Sequence, residues 1–189
     1  MNTHRIAIFA SGSGTNAENI VRYFREKSAP VEFMILSNNA KAGVLRRAEN
    51  LGIPTLVFGR KDFYKSDAII NHLKTHGVDF VVLAGFLWRV PSSLIAPFSG
   101  RIINIHPALL PKFGGKGMHG QHVHEAVIAA KDSISGITIH HVTEEYDQGA
   151  TIFQAECPVY PEDTPNTLAR RIHALEYEHF PKIIEEFLG

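Results

Sequence analysis

Apolar runs alternate along the chain with stretches whose apolar positions repeat at helical spacing. Arg5–Ala10 is a short apolar run that stops at Ser11-Gly12-Ser13-Gly14 and reads as a buried first strand. Thr15-Asn16-Ala17-Glu18 has the Ser/Thr-x-x-Glu pattern of a capping box, and Ala17, Ile20, Val21 and Phe24 keep a helical period, so a helix is predicted over 16–27. Val31–Leu36 predicts a second strand, Ala42–Leu51 a second helix closed by Gly52, and Pro54–Phe58 a short third strand. Asp62 is placed to cap a helix carrying Ile69, Ile70 and Leu73, which Gly77 ends. Asp79–Ala84 is apolar at nearly every position, as parallel strands covered on both faces are, and Gly100–His106 supplies a fifth strand. Strands and helices in this order predict an α/β fold: a doubly wound, mostly parallel sheet with helices on both faces.

The second half has a different pattern. Gln121–Lys131 reads as a helix. Ile134–Val142 and Ala150–Val159 read as two strands joined by the acidic turn Thr143–Gly149, and such a pair adds antiparallel strands to a parallel sheet. Thr164-Pro165 is an N-cap followed by proline at the first helical position. Leu168, Ile172, Leu175, Phe180, Ile183 and Phe187 then form the apolar stripe of a C-terminal helix. Glu176 lies inside that stripe, four residues from both Ile172 and Phe180. A buried charge is costly without a partner, so Glu176 either meets one or reaches solvent at the stripe's edge.

Composition narrows the class. At 189 residues the chain predicts one domain, 1–189. Nineteen Lys+Arg balance nineteen Asp+Glu, which lacks the basic excess of a nucleic-acid binder. The apolar runs fall short of the ~20 residues that span a bilayer. The N-terminal run ends in Gly and Ser and is not a signal peptide. Cys157 is the only cysteine, which suits a reducing compartment. A cytoplasmic enzyme is expected, with no membrane or nucleic-acid partner.

Three segments carry candidate chemistry. Gly12, Ser13, Gly14, Thr15 and Asn16 lie between a strand and a helix, where glycines admit close approach and the first helical N–H groups favour an anion. The same spacing fits a dinucleotide fingerprint, but that motif expects an acidic residue after the second strand, and here Ser37-Asn38-Asn39 stands instead, which disfavours NAD. A turn that binds nothing is the plain alternative. Asn104 and His106 are two apart on an apolar strand, hence on one face at its carboxyl end. An asparagine amide can donate to an oxyanion and a histidine can polarise a carbonyl or move a proton; a hydrogen-bonded core pair is the alternative. The long loop His106–Gly115 follows directly, and the turn around Asp147 offers a carboxylate. His119, His122 and His124 are clustered, yet Ile128 stands where a zinc-binding His-Glu-x-x-His motif needs its second histidine, so no metal is expected.

Gly12–Asn16, the run Asn104-Ile105-His106-Pro107-Ala108-Leu109-Leu110-Pro111, and Asp147-Gln148-Gly149 after a long strand together resemble the folate-dependent formyltransferases, and the resemblance covers essentially the whole chain. It implies a Rossmann-like formyltransferase fold. It implies transfer of the formyl group of 10-formyltetrahydrofolate, a co-substrate, to the amine of glycinamide ribonucleotide, without a metal. Asn104 and a protonated His106 would stabilise the oxyanion, while Asp147 keeps the histidine charged and relays the amine proton. Gly12, Ser13, Gly14, Thr15 and Asn16 would hold the ribonucleotide phosphate, and Glu176 its ribose. Phe86, Leu87, Trp88, Arg89 and Val90, with Asn104, His140, Glu144 and Asp147, would bind the folate. His124 resembles a family histidine at the loop-to-helix junction. The N-terminal half is expected to bind the ribonucleotide, and the C-terminal half to bind folate and carry catalysis. The chain starts at its first strand and ends after its last helix. That leaves no expected room for the extra domains of methionyl-tRNA formyltransferases or formyltetrahydrofolate hydrolases, and a monomer or homodimer is expected.

Overall fold

The computed structural model describes residues 3–189. In chain order the elements are β1 His4–Phe9, α1 Thr15–Glu26, β2 Val31–Ser37, α2 Gly43–Asn50, β3 Thr55–Val57, α3 Arg60–Tyr64, α4 Ala68–Thr75, β4 Phe80–Leu83, α5 Ser92–Ile95, a 3₁₀ turn Ala96–Phe98, β5 Ile102–His106, α6 Gln121–Ala129, β6 Ile134–His141, β7 Thr151–Pro158 and α7 Pro165–Leu188. The described strands form one seven-stranded sheet in the order β3-β2-β1-β4-β5-β6-β7. The chain falls into two compact units, the first ending at Ile103 and the second running Asn104–Gly189.

In the first unit β1 pairs in parallel with β2 and with β4, and β2 pairs in parallel with β3. The apolar runs read from the sequence are buried: Ile6 through Ala10 are wholly inaccessible, and so are Val81 and Val82. Helix α1 adds Ala17, Ile20, Val21 and Phe24. At the carboxyl end of β1 the Phe9 ring meets Phe58, Phe63 and Phe86 at 5.4–6.3 Å between centroids. Edge-on aromatic packing of this kind adds to plain burial.

In the second unit β6 and β7 are antiparallel, with Ile137 opposite Ala155 and an irregularity at Ile139/His140. Ile137 and Ile139 from β6, Val123 and Val127 from α6, and Leu168, Ile172, Phe180 and Ile184 from α7 are all wholly buried. The predicted cap at Thr164 forms, its hydroxyl accepting from the Thr167 N–H at 3.2 Å. The α7 stripe departs from the prediction: Phe187 is exposed and Leu175 half-buried, while Glu176, Pro181 and Ile184 turn inward.

Two local expectations fail and one short helix goes unpredicted, each for a physical reason. Thr15 does not cap α1. Gly14, in the left-handed region at φ 76°, occupies that place, and Glu18 pairs with Arg22 and Arg47 instead of reaching back to the backbone. Two guanidiniums outbid one N–H. Asp62 lies inside the short helix α3, accepting from the Gly59 N–H at 3.2 Å. The chain then breaks, because the Ser66 hydroxyl donates to the Asp62 carbonyl and accepts from the Ala68 N–H, offering the backbone an alternative to helix. Helix α4 starts afresh behind Asp67. Helix α5, at four residues, is too short to leave a periodic signal. Among the described residues no helix is long and apolar enough to cross a membrane.

Candidate active site

The second unit gathers Asn104, His106, His140 and Asp147. His140 sits at the irregularity in β6, which re-aims a side chain as bulges do. Its Nδ1 lies 2.8 Å from the His141 carbonyl, which can only accept, so Nδ1 carries a proton. In the neutral ring Nε2 is then an acceptor, and the Asn104 Nδ2 donates to it at 3.0 Å. The histidine thereby orients the asparagine amide.

His106 is fixed in the same manner. Its Nε2 donates to the Phe113 carbonyl at 2.7 Å, which leaves Nδ1 facing the Asp147 carboxylate at 3.6 Å. The other Asp147 oxygen is 3.6 Å from His140 Nε2, beyond hydrogen-bond distance. The Gly115 N–H donates to Asp147 at 2.8 Å. One carboxylate therefore stands between two imidazoles.

Burial and charge oppose one another at both ionisable groups. His106 is only 3% exposed, and burial pushes its pKa below the ordinary histidine value. Asp147 and the Phe113 carbonyl pull upward and His140 adds to the lowering, but desolvation wins. Burial thus holds His106 below the ordinary histidine value in spite of the carboxylate beside it. Asp147 shows the opposite balance. Burial alone would raise its pKa, and His140, His106 and the Gly115 N–H together outweigh it, so it is held below the ordinary range as a carboxylate.

Backbone geometry explains the glycines. A Cβ on Gly149 would lie 1.6 Å from the His141 carbonyl oxygen, so only glycine lets the turn close beside β6. A Cβ on Gly114 would meet Leu110 at 2.5 Å and the Asp147 Cβ at 3.3 Å. Phe113 and Asp147 both adopt left-handed backbone, at φ 55° and 56°. Such conformations are uncommon outside glycine and cluster at functional sites. The loop after β5 is tied down by Thr138. The buried Thr138 hydroxyl donates to the Ala108 carbonyl at 2.7 Å and accepts from the Leu110 N–H at 3.0 Å and Gln154 Nε2 at 2.9 Å. That fills its hydrogen-bonding capacity.

Glu176 is buried at 5% exposure, with His173 Nδ1 at 2.9 Å from its carboxylate. The solvent-edge alternative is excluded. The bond to Glu176 holds His173 above its ordinary pKa. His124 is likewise buried; desolvation first, then the His173 charge, lowers its pKa, and its Nδ1 has no hydrogen-bond partner among the described residues. His122 is exposed and pairs with Glu125 at 3.4 Å. Among the described residues no group of three or more His, Cys, Asp or Glu is arranged to hold a metal ion.

The first unit holds the other candidates. Gly14 packs so closely that a Cβ would lie 2.4 Å from Val44 Cβ. The Ser11 hydroxyl accepts from the Leu87 N–H at 3.0 Å. Phe86 and Val90 are buried, while Trp88 packs on Phe58, Phe63 and Tyr64 with the Arg60 guanidinium 4.9 Å above its ring. The Tyr64 hydroxyl donates to the Arg89 carbonyl at 2.9 Å. Phe86–Val90 thus belong to the first unit, whereas Asn104, His140, the exposed Glu144 and Asp147 belong to the second. Sequence reasoning marks Phe113 and Gly115 only as part of the loop after β5, and Thr138, Gln154 and His173 not at all. Only Thr138, a polar residue between Ile137 and Ile139, leaves a trace in the sequence.

The formyl transferase profile matches residues 4–184. The chain belongs to the formyl transferase family. Phosphoribosylglycinamide formyltransferase of Bacillus subtilis is 36% identical over 190 residues, covering 98% of this chain and 95% of that one. The chloroplastic phosphoribosylglycinamide formyltransferase of Arabidopsis thaliana is 40% identical over 186 residues, and there the match covers 95% of this chain but 64% of the plant protein. The crystal structure of phosphoribosylglycinamide formyltransferase from Bacillus halodurans superposes with a TM-score of 0.87 at 37% identity, covering 98% of this chain and 95% of that one. Within this formyl transferase family the described sheet is mixed: mostly parallel, with antiparallel strands at the C-terminal end.

Proposed function

We propose that this formyl transferase moves the formyl group of 10-formyltetrahydrofolate to the amine of phosphoribosylglycinamide, a step of purine biosynthesis. The observation that carries it is the set of buried His106 and His140 with half-buried Asn104 and Asp147, in a chain whose relatives bear that enzyme's name. The amine nitrogen attacks the formyl carbon and the C–N bond forms. Charge develops on the formyl oxygen, where the Asn104 amide donates and His106, once protonated at Nδ1, lends its positive charge. The amine proton passes to the Asp147–His106 pair, directly or through water. Collapse breaks the bond to folate nitrogen, which leaves protonated as tetrahydrofolate.

The contacts of His106 suit this sequence. Its Nε2 is occupied by Phe113, so a proton arrives at Nδ1, the nitrogen that faces Asp147. Imidazolium and carboxylate then pair as the oxyanion forms. Gly12, Ser13, Gly14, Thr15 and Asn16 are assigned to the acceptor's phosphate and Glu176 to its ribose. The folate is assigned to Phe86, Leu87, Trp88, Arg89 and Val90 with Asn104, His140, Glu144 and Asp147. The co-substrate is the folate, no metal enters the chemistry, and the one thiol, Cys157, suits the cytoplasm.

The test follows folate product by absorbance with 10-formyltetrahydrofolate, in the presence and absence of phosphoribosylglycinamide. Turnover is expected only with the ribonucleotide. Turnover without it would make the protein a hydrolase, and no turnover in either arm would sink the assignment.

A further inference from the structure

The loop after β1 is held from behind by α2. The Val44 N–H, one of the donors that a helix's first turn leaves unpaired, donates to the Gly12 carbonyl at 3.1 Å. The Arg47 Nε donates to the Ser13 carbonyl at 2.9 Å, and its Nη1 pairs with Glu18. Glu18 also accepts from Arg22. Arg47 thus ties the loop that ends at Gly14 to the helix that begins at Thr15.

A trans peptide is planar, and its C=O and N–H point in opposite directions. The Gly12–Ser13 and Ser13–Gly14 peptides both have their carbonyls turned toward α2. Their N–H groups, those of Ser13 and Gly14, must therefore point away from it. Among the described residues no acceptor takes either one. Two consecutive N–H groups ahead of a helix, with Gly14 in left-handed backbone, form an anion-binding concavity. Were the Ser13–Gly14 peptide to flip, a carbonyl oxygen would face the anion in place of an N–H. Arg47 is the side chain that opposes the flip.

We propose that Arg47 is a positioning residue for the phosphate of the acceptor: by holding the Ser13 carbonyl it aims the Gly14 N–H, beside that of Ser13, at the anion. This rests on the assignment of Gly12–Asn16 to the phosphate. Arg47 touches neither substrate; it acts through the loop. Glu18 keeps the guanidinium in place and tempers its charge, so the effect is one of geometry more than of field.

The experiment compares wild type, Arg47→Ala and Arg47→Lys with phosphoribosylglycinamide and with its 5′-dephosphorylated form. In Arg47→Ala the KM for the phosphorylated acceptor is expected to rise about 10- to 100-fold, the loss of one or two charge-assisted hydrogen bonds. Its kcat and its KM for 10-formyltetrahydrofolate are expected to stay within about threefold. Catalytic efficiency on the dephosphorylated acceptor is expected to match wild type. Arg47→Lys, which keeps a donor and the charge, is expected to fall between the two, and it covers the case in which the alanine variant does not fold. A fall in kcat, or an equal loss on both acceptors, would mean a merely structural role and overturn the proposal. If wild type discriminates and Arg47→Ala discriminates as strongly, the phosphate loop stands and the role of Arg47 falls. If wild type does not discriminate and Thr15→Ala leaves its KM unchanged, the phosphate assignment itself fails and takes the proposal with it.

Discussion

The loop after β1 and the loop after β5 occupy equivalent places, each leaving the carboxyl end of a strand, but they are built from different materials. The first is a main-chain device. Its carbonyls are tied to α2 through Val44 and Arg47, its N–H groups are left to point outward, and its key residue, Gly14, has no side chain at all. The second is a side-chain device. Its course is pinned by the Thr138 hydroxyl, and it delivers the Phe113 carbonyl and the Gly115 N–H to two ionisable groups, His106 and Asp147. A main-chain cradle offers fixed dipoles and no titratable group, which suits a static anion. Buried ionisable pairs can exchange a proton, which suits a reacting centre. The two regions should therefore break differently.

The largest effect is expected at the second loop. Asp147→Asn keeps the shape and removes the charge that receives the amine proton and faces His106 Nδ1. General acid–base contributions run to about 10²–10⁴-fold, and kcat is expected to fall by that much while KM for the ribonucleotide changes little. A loss under tenfold would separate Asp147 from proton transfer. Asn104→Ala removes an oxyanion donor and is expected to cost about 10²–10³-fold in kcat. Neither change should move the KM of the acceptor's phosphate-bearing form relative to the dephosphorylated one.

At the first loop the parallel change is Gly14→Ala, and its cost should appear in stability. The methyl would meet Val44 at 2.4 Å in a left-handed backbone. Strain of about 1–2 kcal/mol and overpacking of about 1–3 kcal/mol add to roughly 2–5 kcal/mol. At about 2–4 °C per kcal/mol for a chain of this size, a melting point lower by some 5–20 °C is expected. An unchanged melting point would show that α2 yields freely, contrary to the clamp.

How much of this contrast was legible follows from the same difference. Apolar periodicity located the strands and most helices, because burial of Ile6–Ala10 or of Val81 and Val82 leaves a direct mark on composition. Asn104, His106 and Asp147 stood out as polar residues at strand ends or on a tight turn. What escaped was whatever the main chain does. The Phe113 carbonyl and the Gly115 N–H are common to every residue and have no sequence signature. The capping box at Thr15 misled because Glu18 had two arginines within reach, one of them, Arg47, 29 residues away. The lowered pKa of His106 escaped for a related reason. Proximity to a carboxylate is legible in a motif, but the desolvation that outweighs it belongs to the packed interior.

A smaller effect is expected from Thr138→Val, which keeps the shape and strands the Ala108 carbonyl and the Leu110 N–H. An unsatisfied buried polar group costs about 1–3 kcal/mol, so a destabilisation in that range is expected by denaturant titration. Activity should fall with it, since the loop carries the Phe113 carbonyl that fixes the His106 tautomer.

The smallest and most specific effect is in the titrations of individual histidines, read by NMR of the imidazole signals. His106, lowered chiefly by burial, is expected to titrate below its ordinary value, and His173, raised chiefly by its bond to Glu176, above it. The stability consequences have opposite signs. Between the folded and unfolded values of His106 the unfolded chain binds more protons, so stability is lost as pH falls from the ordinary histidine range toward the folded value. Asp147, held low, acts in the same direction, its contribution being lost as pH falls through its folded value. His173 contributes below its unfolded value, and that contribution is lost as pH rises through the folded one. Asp147→Asn separates the pull of the carboxylate from mere burial. Removing the carboxylate that pulls His106 upward should lower its titration further and leave that of His173 in place. A His106 titration that rises, or does not move, would show that the 3.6 Å approach of Asp147 has no electrostatic hold on the ring, and the proton route assigned to the pair would fall with it.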